Sequence, residues 1–132
     1  METIRVLLVD DEEEFLEPLV KRLRRRNIDV RTADSGEAAL DILREGDLDV
    51  VVLDVRMPGM DGIQTLREIR SIDPLVEVIM LTGHASIEVA VEGMELGAFD
   101  YLMKPMNIDE LVYKLQDAFK RKQLREQKKR DS

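Results

Sequence analysis

Short apolar runs alternate with longer amphipathic stretches along this chain. Residues 4–9, Ile-Arg-Val-Leu-Leu-Val, read as a short buried strand. A helix is expected over about 12–26, with Phe15, Leu16, Leu19, Val20 and Leu23 on one face. Pro18 lies inside it, and a mid-helix proline costs about 3 kcal/mol, so a kink or a late start is expected. Asn27 breaks that helix, and Ile28 to Ala33 alternates as an exposed edge strand. Asp34-Ser35-Gly36-Glu37 resembles a capping box before a second helix, which carries Ala38, Leu40, Ile42 and Leu43 and ends at Gly46.

The third strand, Val50-Val51-Val52-Leu53, is apolar without interruption, as a strand buried on both faces of a parallel sheet should be. It runs into Asp54, and Met57-Pro58-Gly59 then supplies a turn. Asp61 and Gln64 open a third helix with Ile63, Leu66 and Ile69 inward, which stops before Asp73-Pro74. Val76 to Leu81 is the fourth strand, followed by Thr82-Gly83-His84-Ala85 and a helix capped by Ser86. Phe99 to Met103 is the fifth strand, ending in Lys104-Pro105. Asn107 with Glu110 opens a last helix through Leu111, Val112, Leu115 and Phe119, and Lys120 to Ser132 continues it as a polar, basic segment. Strand and helix alternate five times, which implies an α/β fold: a five-stranded parallel sheet with right-handed crossovers and five helices on its two faces.

In such a sheet all carboxyl ends lie along one edge, where open α/β sheets bind their ligands. Here those ends carry Asp10-Asp11, Asp54, Thr82 and Lys104. A helix-start role explains Glu12 to Glu14 well and Asp11 plausibly, but Asp10 less well. Carboxylates about 4 Å apart repel by up to about 4 kcal/mol per pair at an effective dielectric of 20, so the cluster needs a cation. All-oxygen ligands suit Mg²⁺. An ammonium from Lys104 and a hydroxyl from Thr82 complete a pocket for a dianion. A carboxylate nucleophile can form an acyl phosphate, so the residues themselves point to an aspartyl-phosphate site with Mg²⁺.

Composition narrows the class. The 132 residues carry a net charge of −8; residues 120–130 hold +6 of opposite sign, leaving −14 for the rest. An acidic body argues against nucleic-acid binding by the domain itself. There are no cysteines, which excludes disulfides and thiolate metal sites. No apolar run is long enough to span a bilayer, and the amino terminus does not read as a secretory signal.

Taken together, Val9-Asp10-Asp11, Leu53-Asp54 with Met57-Pro58-Gly59, Leu81-Thr82-Gly83 and Lys104-Pro105 resemble the receiver domain of two-component response regulators. The likeness covers about residues 4–120, so the domain is expected over 1–120, with 121–132 a basic helical extension, linker or tail. The resemblance implies a doubly wound, flavodoxin-like sheet of order 2-1-3-4-5 and a cytoplasmic location. It implies that Asp54 accepts phosphate from the phosphohistidine of a histidine kinase or phosphotransfer protein. Asp10, Asp11, Asp54 and the main-chain carbonyl of Arg56 would hold Mg²⁺. Lys104 would pair with the phosphate, with a cis bond to Pro105 shaping its loop, and Thr82 would bond a phosphoryl oxygen. Tyr101 matches an aromatic switch position, and Arg56 and His84 occupy positions that tune hydrolysis. Such domains often form homodimers through the face of helix 4, strand 5 and helix 5. The loop from Leu81 to Glu88 is similar to the receivers of nitrogen-regulation-type activators.

Other readings make different demands. A phosphatase of the haloacid-dehalogenase type has its nucleophile on the first strand with a second Asp two residues on, whereas Asp10 is followed by Asp11 and Glu12. A flavodoxin-like cofactor binder needs a Gly, Ser and Thr-rich loop after strand one, and this loop is acidic. An unphosphorylated docking module would have no use for the intact acid set. The basic tail reads as a solvated helix end.

Overall fold

A computed structural model describes residues 2–56, 61–83 and 87–131. The expected turn at Met57-Pro58-Gly59, the cap Ser86 and His84 lie outside the described residues. The elements run β1 Arg5–Val9, α1 Glu13–Arg25, β2 Asp29–Ala33, α2 Gly36–Arg44, β3 Val50–Asp54, α3 Gly62–Ile72, β4 Glu77–Thr82, α4 Ile87–Glu95, β5 Asp100–Met103 and α5 Ile108–Asp131. All strand pairings are parallel and the order is β2-β1-β3-β4-β5, as the resemblance implies.

Strand periodicity divides the core in two. Val6, Leu8, Val50, Val52, Ile79 and Leu81 face α1 and α5, where Leu16, Leu23, Leu111 and Leu115 meet them. Leu7, Val9, Val51, Leu53, Val78 and Met80 face the other way, onto Leu40, Leu43, Leu66 and Ile69 of α2 and α3. Two-sided burial explains why β3 and β4 lack a polar alternation, while edge strand β2 shows one.

Local signals fix the helix ends. Ser35 Oγ accepts from Ala38 N at 3.1 Å, and Asp61 Oδ1 accepts from Gln64 N at 2.7 Å. Asn27 ends the turn after α1 with a φ of 62°. The helix α1 runs from Glu13 to Arg25 with Pro18 inside it. Pro18 is exposed, and the carbonyl left without its partner belongs to exposed Glu14 in the first turn, where water can reach it.

The carboxyl end of β3 is held by a close approach. A Cβ on Gly62 would stand 2.7 Å from Val55 Cα and 3.0 Å from Val55 O, one residue past Asp54. Alanine in a helix usually stabilises by about 1 kcal/mol over glycine. Here the backbone clash is expected to reverse the sign, and Gly62→Ala should lower stability by about 1–3 kcal/mol. A urea midpoint that rises instead would contradict this packing.

Candidate functional site

The hydrogen-bond ladder continues one residue past the strands and carries the polar side chains with it. Asp10 N donates to Ala33 O at 3.0 Å, Val55 N to Leu81 O at 3.0 Å and Lys104 N to Thr82 O at 2.8 Å. Asp10, Asp54, Thr82 and Lys104 therefore follow one another across β1, β3, β4 and β5 on a single edge. Asp10 is 1% exposed and Asp54 5%, while Thr82 is fully buried.

Lys104 reaches back across the sheet. Its Nζ donates to Asp10 Oδ2 at 2.8 Å and lies 3.6 Å from Asp54 Oδ2 and 3.7 Å from Glu12 Oε1. The Phe15 ring lies beneath the same ammonium, 4.3 Å from Nζ to centroid. Burial works against the Lys104 charge, but the Asp10 hydrogen bond and the charges of Asp54, Asp10 and Glu12 outweigh it and raise its pKa.

Asp54 is the strained acid of the group. Burial comes first, and with the charge of Asp10 it outweighs the Arg56 amide bond and the Lys104 charge, pushing the carboxyl up to about 6. The Arg56 amide donates to Asp54 Oδ1 at 3.1 Å, as the Glu12 amide donates to Asp10 Oδ1 at 2.9 Å. Asp10, Asp11, Glu12 and Asp54 each offer a carboxylate oxygen, and these oxygens lie within 4.8 Å of one another. A desolvated acid among like charges, in an oxygen-only set this tight, is what a hard divalent cation would relieve.

The remaining candidates surround this centre. The Thr82 hydroxyl donates to Gly83 O at 2.9 Å. Tyr101 is half-buried on β5, in register with Met80. The side chain of Arg56 is exposed, and the Lys104–Pro105 peptide bond is cis. Two neighbours escaped the sequence reading. Glu12 reads from sequence as a helix-start acid and Phe15 as a core residue, yet both lie against Lys104. The signal available was their proximity to Asp10-Asp11 in the first turn after β1.

The family model for the response regulator receiver domain matches residues 6–116. The transcriptional regulatory protein ZraR of Escherichia coli K12 is 42% identical over 117 residues, covering 89% of this chain and 26% of that protein. The DNA-binding transcriptional regulator NtrC of Klebsiella pneumoniae is 40% identical over 105 residues, covering 80% of this chain and 22% of that protein. The chain thus spans about a quarter of the length of these regulators. A response regulator receiver domain structure from Clostridium thermocellum superposes with a TM-score of 0.88 at 37% identity, covering 92% of this chain and 98% of that one. The nitrogen-regulation-type likeness of the Leu81 to Glu88 loop agrees with these relatives.

The raised Asp54 carboxyl has a consequence for stability. Unfolded, it titrates near 3.8; folded, near 6. Between those values the folded form keeps a proton that the unfolded form has released, so this group costs stability as pH rises through the window. The cost is complete above it. Asp54→Asn is expected to stabilise the metal-free protein at pH 7 by on the order of 2 kcal/mol and to give no gain at pH 3.5. Urea denaturation at both pH values measures this, and an equal gain at both would contradict it.

Proposed function

This chain belongs to the response regulator receiver domain family, and on that premise we propose that Asp54 accepts a phosphoryl group from the phosphohistidine of a histidine kinase or phosphotransfer protein. One observation carries the reading. Asp54 is a buried carboxylate 3.6 Å from an ammonium, inside a group of acids close enough to share a cation.

The donor set suits Mg²⁺. Asp10, Asp11 and Asp54 would hold it with the main-chain carbonyl of Arg56, all hard oxygen ligands. Bound there, the ion would neutralise charge on the transferring phosphoryl group. The chain's own residues do the rest. An Asp54 oxygen attacks phosphorus in line as the N–P bond breaks, and its electron pair leaves with the imidazole nitrogen. Lys104 exchanges part of its contact with Asp10 for a phosphoryl oxygen. Thr82 turns its hydroxyl from Gly83 O to another. Arg56 and His84 govern access of water to the acyl phosphate and so its lifetime. The domain catalyses only its own phosphorylation and slow dephosphorylation.

The new group adds about 1.5 to 2 negative charges and three strong acceptors. Bonds to Lys104 and Thr82 bias the loop after β4, and Tyr101 moves inward as Thr82 moves. A bias of about 5 kcal/mol suffices to invert a two-state population. Readout is through the α4, β5 and α5 face, where Val91, Met94 and Tyr113 are exposed. A second copy docking on that face makes the homodimer. The setting is cytoplasmic, and the output follows the relatives in controlling transcription.

Intact-mass spectrometry after treatment with acetyl phosphate and Mg²⁺ tests this. One added phosphoryl group is expected, absent without Mg²⁺ and absent in Asp54→Ala. Lys104→Met is expected to slow uptake by on the order of 100-fold without changing the modified residue. Stable uptake by Asp54→Ala would refute the assignment.

A further inference from the structure

The central strands carry polar groups at both ends. Arg5 opens β1, Asp49 immediately precedes β3 and Glu77 opens β4. Five residues further along each strand stand Asp10, Asp54 and Thr82. The groups at the amino edge form a second charged cluster, separated from the first by about 16 Å of apolar strand.

Two buried carboxylates anchor this cluster. Asp49, 1% exposed, accepts from Arg5 N at 2.8 Å and from the Arg5 guanidinium at 3.2 and 3.1 Å. It also accepts from Lys122 Nζ at 2.8 Å, and Lys122 is itself only 7% exposed. Glu77 is fully buried. Arg125 donates to its Oε1 at 3.1 Å, and Arg121 Nε lies 3.1 Å from its Oε2. Glu126 pairs with Lys122 at 3.4 Å, and the Arg121 guanidinium lies 5.5 Å from the centroid of the Phe99 ring.

Arg121, Lys122, Arg125 and Glu126 all lie beyond residue 120, in the segment that reads from sequence as a solvated basic end, and beyond the 6–116 family match. The apolar stripe of α5 stops near Ala118 and Phe119. Its Lys, Arg, Gln and Glu residues favour a helix by propensity, but past that point the helix has no apolar face with which to hold itself against the sheet. The ion pairs replace the apolar contact. In the other direction, a buried carboxylate without its counter-ion is strongly destabilising. Arg5 serves Asp49 from within the domain body, but the cations in contact with Glu77 come from α5.

We propose that residues 121–126 are a latch. They dock the continuation of α5 onto the amino edge of the sheet through Asp49 and Glu77, and make it one rigid body with the domain. The axis of α5 beyond the core is then set by the starts of β1, β3 and β4, the strands whose far ends carry Asp10, Asp54 and Thr82. A shift of α5 at the switch face moves the continuation with it, without a flexible joint at residue 120.

Hydrogen exchange of the 132-residue protein tests the proposal. Amides of 119–127 are expected to exchange at least tenfold more slowly than those of 128–131. A variant carrying Arg121→Gln, Lys122→Gln and Arg125→Gln removes the cations, and one that also carries Asp49→Asn and Glu77→Gln leaves no stranded buried charge to unfold the body. In that second variant 119–127 should exchange as fast as 128–131, while the sheet stays protected. Equal rates for the two segments in the unaltered protein, or slow exchange of 119–127 in the second variant, would overturn the latch.

Discussion

One ammonium group among buried acids governs the site. Lys104 Nζ sits 2.8 Å from Asp10 and 3.6 Å from Asp54, with Glu12 and the Phe15 ring at its sides. A single positive charge does not balance this many carboxylates. The residual repulsion and desolvation fall on Asp54, whose pKa rises to about 6. The fold tolerates the arrangement because the surrounding sheet is apolar on both faces and cannot rearrange to separate the acids. That unresolved charge leaves the edge receptive to a cation and poised for a change in charge at Asp54.

Parallel topology makes the clustering cheap in sequence terms. Each strand needs only one polar residue at its carboxyl end for the edge to collect them all, and the register places Asp10 and Asp54 on adjacent strands. Lys104 comes from the far side of the sheet and spans the gap with its four-carbon stem. The same geometry applies at the opposite edge, where Arg5, Asp49 and Glu77 stand at the strand starts. Side-chain chemistry separates the two edges: the amino edge is neutralised by Arg5 of β1 and by basic side chains of α5, whereas the carboxyl edge is left short of positive charge.

Much of this arrangement follows from the order of residues alone. The unbroken Val50 to Leu53 run identified a central strand, and the strand-end residues pointed to one edge because parallel sheets admit no other arrangement. What escaped were interactions whose partners lie far apart in sequence. Glu77 reads as one polar residue in an apolar strand, and nothing nearby discloses Arg121 and Arg125 as its partners. Lys122 looks like part of a solvated basic run until Asp49, 73 residues away, is seen to accept from it. Pro18 does not delay the start of α1, because the cost of proline depends on which carbonyl loses its partner, and here it is one near the exposed helix start.

The acids at positions 10, 11 and 54 come together at the carboxyl edge, where one divalent ion would be shared among them. Paramagnetic broadening of backbone NMR signals on titration with Mn²⁺, displaced by Mg²⁺, tests it most directly. Loss of the signals around Asp10, Asp11, Asp54, Gly83 and Lys104 is expected at one equivalent, with recovery in excess Mg²⁺ and no such loss in Asp11→Asn. Broadening centred on another part of the surface, or unchanged in Asp11→Asn, would contradict it.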